Sequence, residues 1–97
     1  MGRLNLTPNQ AKYLDSVLIH DIETYYETLW SMVHEYRNIT DDETIVSYLN
    51  YIDAIMVALD AVNSNYTWHN EGSIEKLVSE IPIELVEQSE IYNRYYQ

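Results

Sequence analysis

Apolar residues recur every three or four positions through most of this chain, which is the spacing of one face of an α-helix. The longest apolar run extends from Ile45 to Val62, and only Ser47, Asn50, Asp53 and Asp60 are strongly polar within it. No Gly or Pro interrupts the run, so its intrinsic preference is helical. Apolar side chains would cover nearly the whole circumference of this helix. We therefore expect burial on several sides, at the centre of a small bundle or at a subunit interface.

A second amphipathic pattern precedes this run. Thr7 and Pro8 are typical of a helix start, with Thr as the N-cap and Pro at the first helical position. The apolar positions then continue to Tyr36, which predicts a long helix over residues 8–37. The opposite face is polar and is predicted to be solvated; it includes His20, Glu23, Glu27 and His34.

The pattern breaks at Arg37, Asn38 and Ile39. Thr40 followed by Glu43 predicts a capping box, in which Thr40 caps a second helix over residues 41–63. A connection of about three residues predicts that the first two helices pack antiparallel.

An Asn-rich loop follows over residues 63–72, and we expect its Tyr66, Trp68 and His69 to dock on the core. Ser73 is predicted to cap a C-terminal helical segment over residues 73–96, broken or kinked near Pro82. The predicted fold is all-α: a small bundle of three to four helices built on a long antiparallel hairpin.

Length and composition agree with this fold. The 97 residues correspond to one domain spanning residues 1–97. A hydrophobic content of 46% with only two Gly and two Pro favours an ordered, helix-rich chain. There are no cysteines, which excludes disulfides and thiol chemistry and is typical of a reducing compartment such as the cytoplasm.

The charge is strongly unbalanced. Sixteen acidic residues against five basic ones give a net charge of −11. Such a surface repels nucleic acid and anionic membranes and attracts basic partners. The alternative explanation is solubility alone.

No residues form a recognisable catalytic, cofactor or nucleotide site. His20 and Glu23 have a spacing that could hold a metal, but no second such pair occurs, so no metal site is predicted. Glu23 and Glu27 share a helix face, and both are expected to be exposed, without the desolvation that tunes a carboxylate for acid or base catalysis. We therefore expect no enzyme activity.

The acidic residues are most ordered in the C-terminal segment. Glu80, Glu84 and Glu87 recur at i, i+4 and i+7, with Glu90 beside them. On one continuous helix they would advance about 5.4 Å per turn and roughly imitate a row of phosphates read at alternate positions. Only Lys76 and Arg94 lie nearby to compensate them. The predicted contact residues are Glu80, Glu84, Glu87, Glu90, Glu23 and Glu27, with Tyr95 and Tyr96 as aromatic contacts.

These features favour an inhibitor that occupies a basic, nucleic-acid-binding site on a partner protein. In size and composition alone, the chain resembles DNA-mimic inhibitors, such as those that phages encode against host nucleases. One alternative is a self-associating helical structural or adaptor module, which would form a homodimer through the apolar helix. Another is an immunity protein that neutralises a basic toxin, because acidic four-helix immunity proteins have a similar size.

Overall fold

A computed structural model describes residues 5–62 and 71–96 of the chain. Within these two ranges the regular structure is helical and there is no strand, which confirms the predicted all-α class. The predicted loop aromatics Tyr66, Trp68 and His69 lie outside the described residues.

The first helix, α1, spans Pro8–His34. It begins where the sequence predicts: the Thr7 hydroxyl accepts a hydrogen bond from the Gln10 N–H (3.2 Å), and the Gln10 side chain accepts one from the Thr7 N–H (2.9 Å). This reciprocal cap satisfies two backbone donors at the helix start. The helix ends three residues before the predicted position 37, and a short 3₁₀ turn, Arg37–Ile39, follows it.

The second helix, α2, spans Asp42–Ala61, but its cap is not the predicted one. The Thr40 hydroxyl donates to the Tyr36 carbonyl (2.7 Å), so it closes the preceding turn. Asp41 caps α2 instead, and its carboxylate accepts a hydrogen bond from the Thr44 N–H (2.9 Å). Side-chain and backbone hydrogen bonds from Thr44 lower the pKa of the Asp41 carboxyl below its ordinary value of 3.8.

Burial of α2 is confined to one face. Ile45, Leu49 and Ile52 are fully buried, whereas Tyr51 is 48% exposed and Val57 is 56% exposed. Within the described residues α2 is therefore covered by its neighbours on part of its circumference, and a subunit interface on the remaining side stays a prediction. Helix α2 contacts α1 and the C-terminal segment and leaves a third side open to solvent. By length and composition alone α2 could also span a membrane, as the core helices of many soluble proteins could.

The C-terminal segment contains three helices: α3 at Glu71–Ser79, α4 at Ile83–Val86 and α5 at Ile91–Tyr95. The break at Pro82 is confirmed. Ser73 lies inside α3, so the prediction that it caps this helix is wrong. A second break, at residues 87–90, was not predicted.

Side chains explain this second break. The Glu90 N–H donates to the Asn50 Oδ1 on α2 (2.8 Å), and the buried Ser89 hydroxyl donates to the Val86 carbonyl (2.8 Å). In a continuous helix the Glu90 N–H would pair with the Val86 carbonyl. Here each of these two groups bonds to a side chain instead, so the chain turns without leaving either of them unsatisfied.

One apolar cluster joins α1, α2 and the C-terminal segment. Each fully buried side chain of this kind contributes about 1.5–3 kcal/mol relative to exposure. The buried members are Ile22, Leu29, Ile45, Leu49, Ile52, Ile74, Leu77, Val78, Ile81, Leu85, Val86 and Ile91.

Candidate partner-binding surface

The four C-terminal carboxylates do not lie on one helix. Glu80 is in the turn after α3, Glu84 is in α4, Glu87 is the C-cap of α4 and Glu90 is the N-cap of α5. The breaks at Pro82 and at residues 87–90 therefore remove the regular advance of one turn per carboxylate. The expected imitation of a phosphate row at helical spacing is wrong in this form.

Glu80 also makes an intramolecular contact. Its Oε1 lies 2.9 Å from the His34 Nε2 at the end of α1, and both side chains are about one-third exposed. The Trp30 ring packs against the His34 ring with a centroid distance of 4.5 Å. His34 is exposed, as predicted, and it also joins α1 to the turn after α3. We conclude that Glu80 is partly committed to the fold.

The remaining three carboxylates, Glu84, Glu87 and Glu90, are exposed; we call this set the C-terminal acidic surface. Arg94 was expected to compensate them. Its Nε instead donates to the Asp53 Oδ1 on α2 (2.9 Å), and the Asp53 side chain is only 14% exposed. The Arg94 guanidinium is therefore paired with a largely buried carboxylate on α2.

Arg37 likewise makes an ion pair, at the start of α2. Its Nη2 donates to Asp42 (2.9 Å), and its Nη1 donates to the Thr40 carbonyl (3.0 Å). Like Arg94, Arg37 therefore serves a local structural contact. Lys76 is exposed on α3.

The predicted contact residues of α1 differ in exposure. Glu27 is exposed, as expected, whereas Glu23 is half-buried and makes an interaction within the chain. The expectation that both carboxylates are exposed is therefore wrong for Glu23. Of this pair, Glu27 presents more of its side chain to a partner.

The two predicted aromatic contacts also differ. Tyr96 is 43% exposed and stacks on Tyr92 with ring centroids 5.5 Å apart. Tyr95 is half-buried and packs against the core, so little of its ring is available. Sequence reasoning missed Ile83, which is 41% exposed between Pro82 and Glu84. Its position directly between Pro82 and Glu84 could have indicated it.

A metal centre and a ligand cavity are two other kinds of site that residues 5–62 and 71–96 could form. In those two ranges, no group of three or more His, Cys, Asp or Glu side chains could hold a metal ion. A shallow open depression at the start of α1 is lined mainly by apolar atoms, and Tyr13 is the titratable residue in it. The other lining residues are Leu6, Asn9, Gln10 and Leu14.

Comparison of the chain with protein-family models, curated proteins and solved structures gives no match. The physical properties of the surface therefore carry the functional argument.

Proposed function

We propose that this chain is a cytoplasmic, non-enzymatic acidic protein that inhibits a partner by occupying its basic, nucleic-acid-binding site. The observation that carries this proposal is the C-terminal acidic surface. Glu84, Glu87 and Glu90 are exposed, while Arg94 is paired with Asp53 on α2. Concentrated negative charge attracts basic proteins from a distance and repels nucleic acid and anionic membranes.

Binding would proceed in two stages. The long-range field would steer the basic site of the partner toward the acidic surface, and charge-assisted hydrogen bonds from Lys and Arg would then hold it. Exposed Ile83 and Tyr96 would add apolar contact. Because Glu84 and Glu87 belong to α4 and its C-cap whereas Glu90 precedes α5, the mimicry depends on charge density and not on a regular helical row.

The proposed architecture is an antiparallel hairpin of α1 and α2 to which the C-terminal segment adds. In the predicted bundle of three to four helices, the short helices α3, α4 and α5 together take the place of one or two helices. Two observations support it: the 3₁₀ connection is short, and the Tyr25 ring lies 5.6 Å from the rings of both Tyr48 and Tyr51. Their packing favours close contact along the two helices.

Self-association is the second candidate, and the open side of α2 favours it. Val57, a large apolar residue, is 56% exposed on this side. A homodimer that buries it would make the chain a structural or adaptor module. Replacing Val57 with Asp would then convert the dimer to a monomer, as measured by sedimentation velocity. A wild-type chain that sediments as a monomer would contradict this candidate.

Affinity capture tests the first proposal. We would immobilise the chain, apply a cell lysate and elute first with duplex DNA and then with NaCl. The proposal predicts recovery of a nucleic-acid-binding protein that DNA displaces, with retention that weakens as salt rises. Recovery of no such protein, or retention that is indifferent to both eluents, would contradict it.

A further inference from the structure

Two apolar side chains are exposed at the connection between α1 and α2. Ile39 is 82% exposed and Tyr36 is 54% exposed. The backbone around them is fixed by side chains: Thr40 donates to the Tyr36 carbonyl (2.7 Å), and Arg37 donates to the Thr40 carbonyl (3.0 Å). The connection therefore presents Ile39 in a defined position, which lowers the entropy that binding would cost.

Carboxylates flank this exposed apolar pair in the sequence. Those that are exposed are Glu35, Asp41, Asp42 and Glu43. Capping of α2 explains Asp41, and the ion pair with Arg37 explains Asp42. The carboxylates of Glu35 and Glu43 have neither role. An apolar centre with a charged rim is the arrangement of many protein-binding sites.

We infer that the α1–α2 connection is a docking site for a cationic protein segment, with Ile39 as its apolar anchor. Basic side chains of the partner would face the flanking carboxylates, and an apolar group between them would cover Ile39. Charge selects this occupant, because two copies of the connection would repel each other. The inference rests on the proposed function, and it adds an apolar contact at the end of the molecule formed by residues 35–43.

A synthetic peptide provides the probe. We would use a 20-residue amphipathic helical peptide of Lys and Leu, and a second peptide in which Ser replaces every Leu. Calorimetry would measure their affinities for the wild-type chain, for Ile39→Ala and for Val57→Ala. Val57→Ala is the matched control because Val57 is an exposed apolar residue on another surface.

The inference predicts that Ile39→Ala weakens binding of the Lys/Leu peptide by about tenfold, which corresponds to about 1.4 kcal/mol. Val57→Ala should change the affinity by less than about twofold. The Lys/Ser peptide should bind more weakly and should not distinguish Ile39→Ala from wild type. Since Ile39 is largely exposed, its replacement should leave the thermal midpoint nearly unchanged.

Two results would overturn the inference, and they differ in what they say about the proposed function. If the Lys/Leu peptide binds in a salt-sensitive manner but Ile39→Ala has no larger effect than Val57→Ala, the docking site is wrong and the acidic binding function stands. If neither peptide binds at low salt, the proposed function fails together with the inference.

Discussion

Replacing Arg94 with Met removes the guanidinium that joins α5 to α2. Its Nε lies 2.9 Å from the Asp53 carboxylate, and the side chains are 35% and 14% exposed, respectively. Exposed ion pairs contribute about 0–1 kcal/mol, whereas loss of one partner from a buried pair costs about 3–5 kcal/mol. With Asp53 largely buried and Arg94 partly solvated, we expect a loss of about 1–3 kcal/mol in the free energy of unfolding.

Urea unfolding followed by circular dichroism would measure this loss. Lys76→Met is the matched control, since it removes the same charge from an exposed side chain; it should change stability by less than about 0.5 kcal/mol. Asp53→Leu combined with Arg94→Met should recover much of the lost stability, because no buried charge is then left unpaired. If Arg94→Met matches the Lys76→Met control, the pair does not hold α5, and the reasoning is refuted.

Three further predictions concern the fold. Leu49→Ala should lower the free energy of unfolding by about 2–5 kcal/mol, because Leu49 is fully buried. Val57→Ala, on the open side of α2, should lower it by less than about 1 kcal/mol. Equal losses in urea unfolding would contradict one-sided burial of α2. Asn50→Ala removes the acceptor of the Glu90 N–H, so it should lower the free energy of unfolding by about 1–3 kcal/mol and speed hydrogen exchange at that amide. Unchanged exchange would exclude this hydrogen bond as the cause of the second break. Asp41→Ala should lower the thermal midpoint at neutral pH by removing the α2 cap. Because the pKa of Asp41 is lowered in the folded chain, its contribution is present above the ordinary value of 3.8 and is lost as the pH falls through the lowered pKa. The difference between wild type and Asp41→Ala should therefore shrink at acid pH, and a difference that is constant across this range would contradict the assignment.

Features that depend on neighbouring residues could be predicted from the sequence. Thr7 and Pro8 define the start of α1 because the capping bonds connect residues three apart. Pro82 interrupts the C-terminal segment because it lacks an N–H. The choice between Thr40 and Asp41 as cap was not predictable, since both types cap helices and an additional bond to Tyr36 decides between them.

Features that depend on distant residues could not be predicted in this way. The break at residues 87–90 requires Asn50, which is 40 positions from Glu90. The commitment of Arg94 to Asp53 and of Glu80 to His34 likewise joins residues 41 and 46 positions apart. Composition correctly indicated that α2 is apolar, but it could not indicate how many neighbours would cover that helix.

The exposure of three C-terminal carboxylates was predictable from the sequence, whereas their geometry was not. Glu84, Glu87 and Glu90 are exposed as expected, but the break after α4 separates Glu90 from the helix that carries the other two. Ile39 was missed because it was assigned only to a break between two helices, and its exposure follows from the way that the connection folds.

The most direct test of the account compares two variants of equal charge. Glu84→Gln with Glu87→Gln alters the C-terminal acidic surface, whereas Asp60→Asn with Glu75→Gln removes the same charge from exposed positions on α2 and α3. Calorimetry would measure the affinity of each for the basic protein that the immobilised chain captures. The account predicts that the first variant loses about tenfold or more in affinity and that the second loses less than about threefold. Equal losses would show that net charge alone, and not this surface, determines binding.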